Sequence, residues 1–203
     1  MSEGASATSP ALREGGTSGR AREDRGPAED VAVLVVMGVT GTGKSTVAGL
    51  LAGRLGWDLE EGDDLHPAAN VAKMRGGQAL TDEDRWPWLD RVGAWIRTHA
   101  DSGRQGVITC SALKRSYRDR LCGPGVVFVH LAGTRAAVEA RLRGRRDHFM
   151  PAALLSSQLA DLEPLQPDER GLVVALGGRP QDEADQVLSA LGLAPLAHST
   201  PQP

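Results

Sequence analysis

Cysteine is scarce in this chain: Cys110 and Cys122 are the two in 203 residues, too few for a disulfide framework and without the paired spacing of a zinc site. Reduced thiols and a cytoplasmic setting are expected. Long apolar runs are missing too. None approaches the roughly 20 residues of a membrane span, and the N-terminus has no hydrophobic core behind a basic cap, so a soluble chain is expected. An excess of one charge is also lacking. With 23 basic and 26 acidic residues and a net charge of −3, the bulk electrostatics ask for neither nucleic acid nor an anionic membrane. Partners must be argued locally. Apolar residues, at 40%, are plentiful enough for the core of one α/β domain.

Residues 1–29 are dominated by Gly, Ala, Ser, Pro and charges of both signs, a composition that cannot bury enough apolar area to offset ordering. They are expected to form a disordered tail. Glu3, Glu14, Glu23 and Asp24 argue against an acid-poor transit peptide. Residues 194–203 are expected to be a second unstructured tail, leaving 30–193 as the domain. Within it, the runs Val31–Met37, Trp57–Glu60, Val107–Cys110, Val126–Leu131 and Leu172–Leu176 alternate with helical patterns. Such runs read as strands buried on both faces, hence a five-stranded parallel sheet flanked by helices. Helices are expected over Lys44–Leu55, Arg135–Arg143 capped by Thr134, Pro151–Leu162 and Asp182–Leu191. Another carries Trp88, Leu89, Val92, Trp95, Ile96 and His99 on one stripe, with Asp84 as its cap and Pro87 in its first turn.

Gly38-Val39-Thr40-Gly41-Thr42-Gly43-Lys44-Ser45 fits G-x-x-x-x-G-K-[ST], with a strand before it and a helix after it. Glycines let backbone N–H groups converge on an anion, and the helix start adds unsatisfied N–H groups and a positive dipole end. This is a phosphate-binding loop. Lys44 is placed to meet the β- and γ-phosphates of ATP and Ser45 to ligate Mg²⁺; Thr46 completes the loop's nucleotide-binding stretch. The motif does not distinguish a kinase from an ATPase or a GTPase. A GTPase is disfavoured, because no N-K-x-D or D-x-x-G segment follows.

Behind the second expected strand, Glu61, Asp63, Asp64 and His66 cluster where open α/β sheets bind ligands. Phosphoryl transfer to an alcohol needs a carboxylate to orient the hydroxyl and accept its proton late, and oxygens around Mg²⁺. Taken alone, the cluster reads sooner as a solvated acidic turn capping the next helix.

The segments "GDDLHPAANVAKM", "LTDEDRWPWL", "CSALKRSYRDRL" and "HFMPAALLSSQLADLEPL", in this order behind the phosphate loop, closely resemble the bacterial gluconate kinase family, the small P-loop type related to shikimate and nucleoside monophosphate kinases. The likeness covers about residues 31–191. It implies ATP-dependent phosphorylation of D-gluconate on its terminal hydroxyl, giving 6-phospho-D-gluconate, in a P-loop kinase fold with an acceptor-binding region about 63–100 and a mobile lid about 141–150. Dimerisation is suggested by the resemblance alone. The substrate, a carboxylate with a row of hydroxyls, should meet a mixture of cations and acceptors: Asp63, Asp64 and His66 as hydroxyl partners, and Arg85, Lys114 and Arg118 as candidate cations. Asp63 is expected to be the base, with Asp64 the alternative. Arg85 could instead pair with Asp82 or Asp84, and Lys114, Arg115 and Arg118 could form a solvated helix face, Arg115 above all.

The basic segment Ala140–Pro151 suits a lid that excludes water and neutralises developing phosphate charge. Carried over from the family, Arg141 and Arg145 touch ATP phosphates, with His148 and Gln158 near the closed lid. The chain departs from the family pattern at Asp147, where many members have Gly, at Ala175, which replaces a carboxylate, and at Glu61, where some have Asp. Trp86, Trp88, Trp95, Cys110 and His99 read as structural. Two rival readings are another small-metabolite or nucleotide kinase, and a nucleotide-binding module without transfer chemistry.

Overall fold

The computed structural model describes residues 30–143 and 152–196. The expected N-terminal tail and most of the expected lid, Arg145, Asp147 and His148 included, lie outside the described residues. Five strands run parallel in the order β2-β3-β1-β4-β5: β1 (Val33–Met37), β2 (Asp58–Glu61), β3 (Gly106–Thr109), β4 (Val126–Ala132) and β5 (Gly171–Ala175). Each lies within one or two residues of its expected run. β1 is central, pairing Val33 with Gly106 of β3 and with Val126 of β4, and all five of its residues are buried. That explains an unbroken apolar run where a half-exposed strand would alternate.

Two-residue periodicity sorts β1 into two cores. Leu34 and Val36 pack with Val47, Leu51, Val187 and Leu188, from helices α1 (Lys44–Leu55) and α7 (Pro180–Leu191). Val33, Val35 and Met37 pack with Trp88, Leu89, Val92 and Ile96 of α3 (Asp82–Ser102) and with Tyr117 and Leu121 of α4 (Arg115–Leu121). The remaining helices are α2 (Ala68–Arg75), α5 (Arg135–Arg143) and α6 (Ala152–Asp161). A third cluster, Val39, Leu113, Val138 and Leu155, joins the loop after β1 to α5 and α6. No helix among the described residues is long and apolar enough to cross a membrane.

Three expectations need correction. α3 starts at Asp82, capped by Thr81: the Thr81 hydroxyl accepts from Asp84 N–H at 3.3 Å and the Asp84 carboxylate accepts from Thr81 N–H at 3.0 Å. This reciprocal box satisfies two otherwise orphaned donors, so Asp84 is the box partner rather than the cap. Pro87 consequently sits in the second turn of the helix. The C-terminal stretch keeps native contacts to Leu196, whose N–H donates to Arg54 O at 2.7 Å and whose side chain lies against Gly56. His99 is a satisfied core histidine as expected, 4% exposed and bonded to Trp95 O at 3.0 Å and Asp58 at 3.1 Å.

Candidate active site

The loop between β1 and α1 turns through Gly41 and Gly43 with φ of +81° and +92°, conformations that residues with a Cβ rarely adopt. α1 opens at Lys44 behind Gly43, and no side chain caps it. Its first-turn N–H groups and dipole thus face the loop, which fits a phosphate chain. The Thr42 hydroxyl is buried and donates to Val39 O at 2.9 Å, bracing the loop from within. Lys44 Nζ donates to Val39 O at 3.1 Å, which folds the ammonium back over the cradle.

At the carboxyl end of β2, a hydrogen-bonded chain links three elements. Gly62 N–H donates to Thr109 Oγ1 at 3.1 Å, Thr109 Oγ1 donates to Glu61 at 2.7 Å, and Ser45 Oγ donates to the same Glu61 oxygen at 3.0 Å. Gly62 has to be glycine, since a Cβ there would lie 2.0 Å from Thr109 O. β2 and β3 can therefore converge closely enough to present Glu61 to the loop. Ser45 and Glu61 form a hard-oxygen pair that fits Mg²⁺, an ion that needs only one or two protein oxygens beside phosphates and water.

A turn of 3-10 helix (Gly62–Leu65) follows and puts Asp63 on the wall of a cleft that Thr40, Lys44, His66, Arg85, Ser111 and Gln158 also line. Asp64, the next residue, is exposed outside that wall. His66 stacks on Trp88 with ring centroids 4.2 Å apart, and Trp88 Nε1 donates to Gly62 O at 2.6 Å. The buried tryptophan thus holds both the acidic turn and the histidine. Burial pushes the His66 imidazole below its usual value and the Arg85 charge adds to this, while Asp63 opposes it. The ring is neutral at pH 7, able to donate and accept.

Arg85 faces the cleft from α3. Its Nη1 donates to Tyr117 OH at 2.9 Å, and Asp82 and Asp161 stand 3.5 and 3.7 Å away. Tyr117 OH in turn donates to Asp82, so the phenol orients the guanidinium. Lys114 is not on the cleft wall: Nζ donates to both Asp82 oxygens at 2.8 and 3.0 Å. That hydrogen bond, then the one from Tyr117, holds the Asp82 carboxyl below its usual range. Arg118 is likewise withdrawn, correcting the expectation that it meets substrate. It is 1% exposed, paired through two nitrogens with Glu169, and donates to Ala112 O, Leu113 O, Glu163 O and Pro164 O. Its charge is consumed in pinning loops. Ala112, at φ +44°, is held in the left-handed region beside two of those carbonyls. Arg115 pairs at the surface with Asp119 and Asp168. Cys110 lies buried beneath the cleft, and burial pushes its thiol up to about 12, which rules it out as a nucleophile at neutral pH.

Arg141, from the last turn of α5, reaches the outside of the phosphate loop. It donates to Thr42 O at 2.8 Å and Gly178 O at 3.2 Å, and pairs with the buried Glu183 of α7. Thr46 is exposed on α1. Gln158 of α6 accepts from Thr40 N–H at 2.6 Å. Gln158 is expected near the lid from the family resemblance, whereas Trp88, Thr109, Tyr117 and Ser111 carry no sequence signal as parts of the site. Their roles depend on strand neighbours and stacking, which no local spacing encodes.

No family model matches the chain. It is 56% identical over 138 residues to the gluconokinase of Gluconobacter oxydans (strain 621H), across 67% of this chain and 78% of that one. A gluconokinase structure from Sinorhizobium meliloti 1021 superposes with a TM-score of 0.74 at 40% identity, covering 83% of this chain and 94% of that chain. An APS kinase from Mycobacterium tuberculosis, solved with AMPPNP and APS, superposes with a TM-score of 0.58 over 80% of this chain and 98% of that chain. At 19% identity it shows the shared fold alone.

Proposed function

This chain belongs to the gluconokinase family, and from that premise we propose that it transfers the γ-phosphoryl group of ATP to the terminal hydroxyl of D-gluconate, giving 6-phospho-D-gluconate and ADP. The observation that carries the reading is one cleft in which Thr40 and Lys44 of the phosphate loop face Asp63, His66 and Arg85 of the acceptor side. A phosphate cradle with a carboxylate opposite it is what in-line transfer to an alcohol requires.

The residues divide the work by position. The N–H groups from Gly41 to Thr46 and the Lys44 ammonium hold the nucleotide phosphates. Ser45 and Glu61 are the residues that would hold Mg²⁺, which when bound would neutralise charge on the phosphate oxygens. Asp63 accepts a hydrogen bond from the attacking hydroxyl and takes its proton as the acceptor oxygen bonds to phosphorus and the bond to ADP breaks. Neutral His66 pairs with hydroxyls along the substrate. Arg85, oriented by Tyr117, meets the substrate carboxylate. Arg141 braces the loop; of the residues carried over from the family, Arg145 serves catalysis at the ATP phosphates and His148 binds substrate. Asp64, Lys114 and Arg118 are left out of the substrate contacts.

The test is an acceptor screen in which ADP release from ATP and Mg²⁺ is followed with gluconate, shikimate and nucleoside monophosphates. Gluconate-dependent release is expected. Turnover of another acceptor with gluconate inert would refute the reading.

A further inference from the structure

We propose that Gln158 is a catalytic residue of the transfer, its side-chain amide nitrogen donating a hydrogen bond to the transferring phosphoryl group. The inference rests on the phosphoryl-transfer reading above. It starts from one contact: Thr40 N–H, in the phosphate loop, donates to Gln158 Oε1 at 2.6 Å. A backbone N–H can only donate, so the end of the carboxamide that meets Thr40 is the oxygen. The NH₂ group is then at the other end. Turning the group over would set donor against donor. Among the described residues this nitrogen has no protein partner, and no buried polar side-chain atom there is left unsatisfied. Nε2 is therefore accessible to solvent, on a residue that lines the cleft beside Lys44 and Asp63.

The packing keeps it there. Leu155, one turn before Gln158 on α6, is buried in the same apolar cluster as Val39, the residue before Thr40, and Leu159 packs on that cluster from its edge. Helix and loop are thus tied by both apolar contact and the amide bond. A donor fixed in advance is what stabilises charge developing on phosphoryl oxygens, because nothing has to reorganise as the reaction proceeds. Gln158 exchanges no proton, which leaves proton transfer to Asp63.

The experiment titrates Mg²⁺·AMPPNP and Mg²⁺·ADP calorimetrically into the parent protein, Gln158→Glu and Gln158→Met, with melting temperatures measured alongside. Gln158→Glu keeps an acceptor for Thr40 but replaces the donor with an anion. It should weaken AMPPNP relative to ADP by about tenfold or more, the scale of a hydrogen bond to a charged group. Gln158→Met, which lacks both functions, should lower the same ratio several-fold, and it keeps the test open if the glutamate variant does not fold. For either folded variant, kcat should fall while the KM for gluconate stays within about twofold. An AMPPNP-to-ADP ratio unchanged in both variants would overturn the inference, since a merely structural glutamine would affect the two nucleotides alike. A parent protein that binds neither nucleotide would overturn the phosphoryl-transfer reading, and the inference with it.

Discussion

Replacing Arg118 by methionine, which keeps the side chain's length and removes its charge and donors, is expected to lower stability by about 3–5 kcal/mol, the usual cost of deleting one partner of a buried ion pair. The surroundings justify that scale. Arg118 and Glu169 have side chains 1% and 5% exposed, so the orphaned carboxylate could not be rehydrated without opening the structure. Four carbonyls, of Ala112, Leu113, Glu163 and Pro164, lose their guanidinium donor as well. For a domain of this size the loss corresponds to a fall in melting temperature of about 6–20 °C, readable by calorimetry or urea unfolding. Arg118→Met combined with Glu169→Leu should recover part of it, because an apolar pair of similar volume leaves no buried charge behind, while the four carbonyls remain without their donor. Acid supplies an internal control. Burial pushes the Glu169 carboxyl up, but the Arg118 hydrogen bond and the Gln166 N–H draw it down further, leaving it below its ordinary 4.5. A depressed carboxyl stabilises the fold above pH 4.5, and that contribution is lost as pH falls through the lower folded value. The gap between parent and Arg118→Met should therefore narrow in acid. A single substitution costing under about 1 kcal/mol, or a double variant no better than the single, would refute the reasoning.

Three further expectations bear on the site. Gly62→Ala places a methyl 2.0 Å from Thr109 O; the forced separation of β2 from β3 should cost at least about 2 kcal/mol in urea melts and lower activity, and an unaffected protein would contradict the geometry. Asp63→Asn should reduce kcat by about 10²–10⁴-fold with nucleotide affinity within about threefold, as expected of a lost general base; retained turnover in a rate assay would remove Asp63 from that role. His66 and His130 are both pushed below 6.5, chiefly by burial, so the folded state binds fewer protons than the unfolded chain and stability declines as pH drops from 6.5 through the lower folded values. His66→Asn should flatten part of that decline in melts between pH 7 and 5, with His130 accounting for a remainder, and an identical slope in both proteins would count against a buried, neutral His66.

What the chain determined locally was its elements and its phosphate cradle. The run of β-branched residues at Val33–Met37, the glycine spacing through Gly43 and the helical pattern after Lys44 are each set by backbone sterics and hydrophobic period, properties of neighbours in sequence. They were legible without a fold, and so was the acidic turn at Asp63. Which of several identical charges would face the cleft was not, because that depends on residues far apart in sequence. Arg85 and Arg118 both sit on helices in charged stretches, the first among acidic residues and the second among basic ones. One reaches the cleft and the other is buried, because Glu169, 51 positions later, meets Arg118 with two oxygens. Lys114 is drawn aside by Asp82, 32 positions earlier, Glu61 is handed to Ser45 by a threonine on the neighbouring strand, and Gln158 reaches Thr40 across 118 positions. Only the tertiary structure could decide such pairings: a buried charge or amide takes whichever partner packing brings within hydrogen-bond distance, and packing is a property of the whole sheet and its helices.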